Sequence, residues 1–354
     1  MSLLGFHKTV YTTSLQYIGA LYWSDCREGT NRSGSATGGV SEPLLRGFYQ
    51  GPVKDTPLHK ASSDGDLDTV KQLIDDDKID VNTRGWYGLT PLMLAALRGH
   101  KDVFEYLHKQ GADMTQTDRD GDHILSMACI GGSVNIVEYV ISNEPNLINR
   151  KRHDGRTSLM WAAWHGKEAI FRYLLNHGAD YMLMDNDMDS VLHYACHGGH
   201  TGIVQTILAQ PEIDINSRDI YGRTAVMAAV EQGHKQVLDI LVRNGSDISH
   251  TDKDKLVDIN SRGHRGRTPL LWAAWKKQEE VIRLLVSQGA DLSQVDDRGN
   301  NILHIVCERG SETIVRFVLS QNTLDINAQN RRGETASMIA KRTHMELDDL
   351  FLSP

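Results

Sequence analysis

Side chains able to hold a metal or begin a nucleophilic attack crowd into one short stretch, Cys196-His197-Gly198-Gly199-His200, with His193 three residues before the cysteine. Thiolate and imidazole are good zinc ligands, and a cysteine beside a histidine is the simplest activated nucleophile. Zinc wants its donors converging tetrahedrally, however. These residues instead recur along the chain at matching local positions, Cys196 with Cys129 and Cys307, and His200 with His100 and His234. A repeated pattern accounts for them, so the expectation is no metal, no cofactor and no catalysis. Asp75-Asp76-Asp77, the other cluster of ligand types, is expected to be a solvated helix end. The chain carries no phosphate-cradling loop, G-x-S-x-G elbow or kinase signature.

The elements that position these residues keep a strict period. A segment headed by threonine or a substitute recurs at Thr56, Thr90, His123, Thr157, Ser190, Thr224, Thr268, Asn301 and Thr335, at intervals of 33 or 34 residues with one interval of 44. Glycine stands two residues before most of these heads (Gly88, Gly121, Gly155, Gly222, Gly266, Gly299, Gly333) and again after the first helix of each unit (Gly65, Gly99, Gly132, Gly166, Gly199, Gly233, Gly310). Gly111, Gly178, Gly245 and Gly289 follow the second helix in alternate units. All sit where a turn or helix end favours positive φ. In the second unit Thr90-Pro91 opens a helix with Leu92, Leu94 and Ala95 inward, and Val103, Tyr106 and Leu107 recur at helical spacing in the next. A helix pair this short buries its apolar face only by stacking on copies of itself.

These residues resemble the ankyrin repeat. Its T-P-L-H-x-A signature stands as Thr56-Pro57-Leu58-His59-Lys60-Ala61, and its G-A-D signature as Gly111-Ala112-Asp113, Gly178-Ala179-Asp180 and Gly289-Ala290-Asp291. The resemblance covers about residues 54–354 in nine units. It implies an all-α solenoid of antiparallel helix pairs with β-turn fingers on one side.

A longer period is also present. Even units carry Ala95-Ala96, Ala162-Ala163 or Ala273-Ala274, whereas odd units carry Ala128-Cys129, Ala195-Cys196 or Val306-Cys307 and close on endings such as Ile215-Asn216. The module is therefore two repeats, 67 residues long, and the 44-residue interval is 23 short of it. It contains the even-type ending Asp247-Ile248-Ser249 and then the odd-type Val257-Asp258-Ile259-Asn260. One odd unit has lost its helices, and a bend or protruding loop is expected at 250–265.

The chain has 354 residues and a formal net charge of -8, with 40% hydrophobic and 24% charged residues, enough to build a core and too little charge for disorder. No apolar run approaches the roughly 20 residues of a membrane span. The stretch Leu15 to Trp23 lacks the basic flank and cleavage site of a secretory signal, and four cysteines make no disulfide framework. A cytoplasmic setting is expected, with cytoskeletal association and mitochondrial import as alternatives. The Asn31-Arg32-Ser33 sequon is then a coincidence. Residues 1–53 fall outside the repeat: Tyr11, Tyr17, Tyr22, Trp23, Phe48 and Tyr49 flank a Gly/Ser-rich stretch from Gly29 to Gly39. They are expected as an arm that orders against another protein, with a tail or an intramolecular strap as alternatives. Residues 335–354 suit a C-terminal cap.

The resemblance implies that partners meet the turn tips and the open side of the first helices. Carried onto this chain, the tips offer Trp86, Tyr87, Arg156, Tyr221, Arg223, Arg265, Arg267 and Arg298, and the first helices offer Trp164, His165, Trp275, Lys276 and Arg309. Trp, Tyr and Arg are the residues enriched in binding hot spots. In Trp161-Ala162-Ala163-Trp164 and Trp272-Ala273-Ala274-Trp275 the first tryptophan is expected in the core; the second either packs on the adjacent repeat or meets a partner. The expected activity is a non-catalytic scaffold or adaptor in a hetero-complex, binding a protein segment with acidic and apolar residues and using the arm as a second contact. Neither nucleic acid nor membrane insertion is expected. The alternative is an ankyrin inhibitor or substrate receptor for an enzyme.

Overall fold

Capping chemistry sets the helix boundaries. In the computed structural model, which describes residues 55–75, 79–245, 257–343 and 351, all nine heads identified by spacing are N-caps in extended conformation. Thr90, Thr268 and Thr335 accept a hydrogen bond from the third helical amide at 3.3–3.4 Å. The inner helices they open are α1 (Pro57–Asp64), α3 (Pro91–Arg98), α5 (Ile124–Gly131), α7 (Ser158–Trp164), α9 (Val191–Gly198), α11 (Ala225–Gln232), α13 (Pro269–Trp275), α15 (Ile302–Arg309) and α17 (Ala336–Arg342). Each of the first eight is followed by an outer helix: α2 (Leu67–Asp75), α4 (Lys101–Lys109), α6 (Val134–Asn143), α8 (Glu168–Asn176), α10 (Thr201–Leu208), α12 (Lys235–Gly245), α14 (Glu279–Ser287) and α16 (Glu312–Leu319). Every inner helix packs on the next inner helix, so nine units stack in sequence order.

The outer helices bury a recurrent i, i+1, i+4 triad, such as Ile170, Phe171 and Leu174, or Ile203, Val204 and Ile207. In the second unit this makes Phe104, not Tyr106, the inward aromatic. Each fully buried Leu, Ile, Val or Phe supplies about 1.5–3 kcal/mol of transfer free energy, and no single pair buries its triad without a neighbour. The inner helices approach more closely and use small residues: Ala95, Ala96, Ala162, Ala163, Ala195 and Cys196 are all inaccessible. At Gly198 the approach is closest, since a Cβ there would collide with the Trp164 carbonyl oxygen.

The two-repeat module has a physical basis in the loops. In an odd-unit ending the aspartate accepts the asparagine amide, as Asp80 does from Asn82 at 2.8 Å, and so presents the asparagine to the next unit. Asn82 then accepts from the Asp113 amide at 2.7 Å and donates to the Gly111 carbonyl at 3.1 Å. Asn149 does the same with Asp180 and Gly178, at 2.8 and 3.1 Å. Asn216, however, accepts from Asp258 at 2.9 Å, and Asn260 in turn accepts from Asp291 at 2.8 Å. Unit six thus joins even-type helices to an odd-type ending, and units six and seven stack directly through α11 and α13. Residues 258–261 are the loop beneath the seventh finger; residues 250–256 of the expected bend or loop lie outside the described residues. So do the arm before residue 55 and, residue 351 apart, the cap beyond residue 343.

Candidate partner-binding surface

The signature histidines are spent on stacking. Thr56 donates its amide to His59 Nδ1 at 3.1 Å, which leaves the ring proton on Nε2 to donate to the Leu89 carbonyl of the next unit at 3.1 Å. His193 joins Ser190 to Arg223 in the same way, and His304 bridges Asn301 to the Glu334 carbonyl through its two ring nitrogens. His200 and His234 bond back to the Trp164 and His197 carbonyls at 2.9 and 3.0 Å. Burial pushes His59, His193 and His304 below the ordinary imidazole range, so they stay neutral. Cys129, Cys196 and Cys307 are buried free thiols pushed upward by desolvation, Cys307 to about 12. Among the described residues no group of three or more His, Cys, Asp or Glu converges for a metal.

The fingers are built by their first residue. Asp118, Asp185, Asp219 and Asp296 each accept two amides of their own turn at 2.7–3.0 Å. In the second and seventh fingers glycine replaces that aspartate (Gly85, Gly263), and Tyr87 and Arg265 stand at φ 56° and 61°. The third residue of each finger, from unit two to unit nine, reads Tyr87, Asp120, Asp154, Asp187, Tyr221, Arg265, Arg298, Arg332, every one exposed or half-exposed. Its carbonyl accepts the amide of the second residue in the following finger at six junctions: Arg119 to Tyr87, His153 to Asp120, Asn186 to Asp154, Ile220 to Asp187, Asp297 to Arg265 and Arg331 to Arg298, at 2.8–3.2 Å. Between units six and seven the Tyr221 carbonyl and His264 amide make no such bond; the two rings meet edge-on at 6.3 Å instead.

Beneath the tips runs a row of ion pairs that sequence reasoning missed. Asp122 meets Arg152 at 3.2 Å, Arg156 meets Asp185 at 3.9 Å, Asp189 meets Arg223 at 3.6 Å and Arg267 meets Asp296 at 3.8 Å. Part of the signal was present in the residues before four successive N-caps, which alternate Asp122, Arg156, Asp189, Arg223; of the other partners, Arg152, Asp185 and Asp296 are first residues of fingers. Burial raises Asp122 and Asp189 to about 7 against the opposing pull of their arginines. Arg223 also bonds Asp219 at 2.5 Å. Consequently Arg156 and Arg223 are anchored, half-buried side chains, and Arg267, expected at a tip, is only 3% exposed. It turns inward because its guanidinium finds Asp296 and two indole rings there.

Those rings organise the inner face into two patches. In the first, Trp161 is buried and stacks on Trp164 with centroids 5.5 Å apart; Trp164 is half-buried, with Tyr194 at 5.9 Å and His197 at 5.4 Å from the next unit. Arg156 lies 5.5–5.7 Å from Trp161, Trp164 and Tyr194 and donates to the Tyr194 hydroxyl at 2.6 Å. His165 stacks on Trp161 at 5.6 Å and is held down to about 4 by burial. In the second patch, Arg267 and Arg309 lie 4.2 and 4.5 Å from the Trp275 ring, Arg267 also faces Trp272 at 5.1 Å, and Arg309 donates to the Trp275 carbonyl at 2.9 Å. Both second tryptophans pack on the adjacent repeat and keep accessible area. Lys276 is exposed beside the second patch. Trp86, Tyr87 and Tyr221 stand out at the tips, 47%, 37% and 50% exposed, and Arg223 lies 5.4 Å from the Tyr221 ring. Ile220, at 56%, joins Tyr221 and was not anticipated.

The chain's relatives agree with this architecture. The family described as ankyrin repeats in three copies matches residues 39–118, 107–185, 182–252 and 270–348, and ankyrin repeats in many copies match 227–286. The chain is 29% identical to palmitoyltransferase AKR1 of Lachancea kluyveri over 185 residues, 51% of this chain and 24% of that protein. It is 25% identical to ankyrin repeat protein nuc-2 of Neurospora crassa (63% and 23% covered) and 28% identical to human inversin (57% and 22% covered). The match spans about a quarter or less of these relatives' length. Ankyrin repeats mediate protein–protein binding, and no helix among the described residues is long and apolar enough to cross a membrane. With its nine capped units and matching repeats throughout, this chain belongs to the ankyrin-repeat family.

Proposed function

We propose that the protein is a non-catalytic scaffold that grips a partner protein with the two tryptophan–arginine patches of its inner face. The observation that carries this reading is the arginine over each tryptophan. Indole faces held by guanidiniums lose little side-chain freedom on binding, and they offer apolar area beside positive charge. A partner segment combining carboxylates with apolar side chains complements both. Arg298, Arg309 and Lys276 extend the positive side, and the arm of residues 1–53 is a second contact to the same assembly. The three buried free thiols fit a reducing, cytoplasmic setting.

Affinity capture with the wild-type chain, the Trp164→Ala/Trp275→Ala double variant and a chain lacking residues 1–53 tests this. The double variant should lose partners that wild type retains, with circular dichroism unchanged, and high salt should weaken the remaining contact. Equal recovery of the same partners by all three chains would sink both proposed surfaces.

A further inference from the structure

The finger tips carry a pattern that the inner-face patches do not use. After Tyr87, the third finger position presents three acids, Asp120, Asp154 and Asp187; after Tyr221 it presents three arginines, Arg265, Arg298 and Arg332. The sign of the edge reverses at unit six. That is where the odd unit lost its helices, and where the backbone bond joining successive fingers is missing. Ile220 and Tyr221, both at least half exposed, sit at the reversal. Asp154 is partly neutralised by Arg152 and Arg156 at 3.1 and 3.4 Å, and Asp297 shares the basic half with Arg262 at 3.8 Å, so neither row is pure. The rows nevertheless keep opposite net charge.

We propose that this edge is a docking track for one elongated partner segment with a basic half and an acidic half. The basic half lies over the fingers of units three to five and the acidic half over those of units seven to nine. An apolar side chain seats on Ile220 and Tyr221 between them, and an extended backbone there takes the open Tyr221 carbonyl and His264 amide. A polypeptide supplies both signs of charge together with a backbone donor and acceptor. A nucleic acid supplies only negative charge and is repelled by the acidic row. The proposal rests on the protein-binding reading and specifies the partner's chemistry. Stacked helices lie roughly 8–10 Å apart, so the centres of the two rows are separated by roughly 35–40 Å. The two charge clusters of the segment therefore stand about 12 residues apart if extended, or about 25 if helical.

The test uses the full-length chain and three fluorescein-labelled synthetic peptides of equal length. One has a lysine block and a glutamate block whose centres stand about 12 residues apart, with Leu-Phe midway between them; in the others both blocks are lysine or both are glutamate. Anisotropy should show the mixed peptide binding at least tenfold more tightly than either uniform one. Asp120→Lys/Asp187→Lys and Arg298→Glu/Arg332→Glu should each lose about tenfold. Combining the four changes restores the net charge and swaps the rows, so binding should recover with the peptide reversed. A nitroxide on the peptide's lysine end should then broaden signals near unit eight instead of unit four.

Equal binding of the uniform glutamate peptide would overturn the proposal in favour of a simple basic patch. Failure of the fourfold variant to recover would overturn it as well. A concentration-dependent dimer in sedimentation, lost in each single-row variant and regained in the fourfold one, would assign the track to a second copy of this chain and also overturn it. The Trp164→Ala/Trp275→Ala chain should bind the mixed peptide normally. Loss of its cellular partners with peptide binding intact separates the two surfaces.

Discussion

Lys277 ends the inner helix of unit seven at φ 59°, where its counterpart in unit four, Gly166, stands at 67°. A Cβ in this left-handed region costs roughly 1–2 kcal/mol. Replacing it with glycine removes that cost but gives the unfolded chain more freedom, which returns about 0.4–1 kcal/mol. Lys277 is exposed, so the side chain itself holds little. Lys277→Gly should therefore stabilise unit seven by about 0.5–1 kcal/mol. The mirror experiment is Gly310→Ala, at φ 71° with no atom within 4 Å of the added methyl, which should destabilise unit eight by about the same amount. Nine stacked units need not unfold in one step, so the free energy is best read locally. Amide exchange of α13 and α14 measures it for unit seven and that of α15 and α16 for unit eight, and fluorescence of Trp275, two residues from Lys277, follows unit seven in urea. Lower protection in Lys277→Gly, or no loss in Gly310→Ala, would refute the backbone argument.

Further outcomes follow from the stitches and the buried thiols. Burial lowers His123 from the ordinary 6.5 to about 4, so the unfolded chain binds more protons between those values. The stability it holds is complete above pH 6.5 and drains as pH falls toward 4, on the order of 3 kcal/mol for this one group. Asp122 and Asp189, raised to about 7, act in the opposite sense, losing stability as pH rises from 3.8 through 7. The histidine part is therefore isolated by comparing urea midpoints of wild type and His123→Asn from pH 7.5 to 4.5; parallel curves would exclude it. Asn149→Ala removes the hooks to Gly178 and Asp180 and should cost about 1 kcal/mol in amide exchange at the junction of units three and four, with the distant units eight and nine unaffected. Cys129, Cys196 and Cys307 should resist a disulfide reagent in the native protein and react in denaturant; prompt native reaction would contradict their burial.

The repeat was legible because its determinants are local. Thr90-Pro91 caps a helix wherever it occurs, and Gly99 ends one at φ 76° for reasons contained in its own backbone. The odd-type ending of unit six was legible for the same reason, since Asp258-Ile259-Asn260 carries the turn chemistry of its kind. What residue type did not reveal was direction. Arg265 and Arg267 are two residues apart and equally basic, yet one is exposed and the other is buried against Trp275 and Asp296. That difference depends on Gly263 and the left-handed turn at Arg265, and on which residues the adjoining units bring alongside. The finger-tip charge reversal was present in the sequence too, but it becomes a row only when stacking aligns every third finger residue.

The asparagine hooks also divide the stack into blocks of unequal size. They fasten unit one to two, three to four, and, because unit six inherited an odd-type ending, five to six to seven without interruption. Under load or mild denaturant such an array should part between blocks before it parts within them, giving unfolding steps of two units and one of three. Unit six, with its odd-type ending, is therefore hooked on both sides. Units five to seven are thus the longest run of asparagine hooks among the described residues, although the finger bond between six and seven is absent.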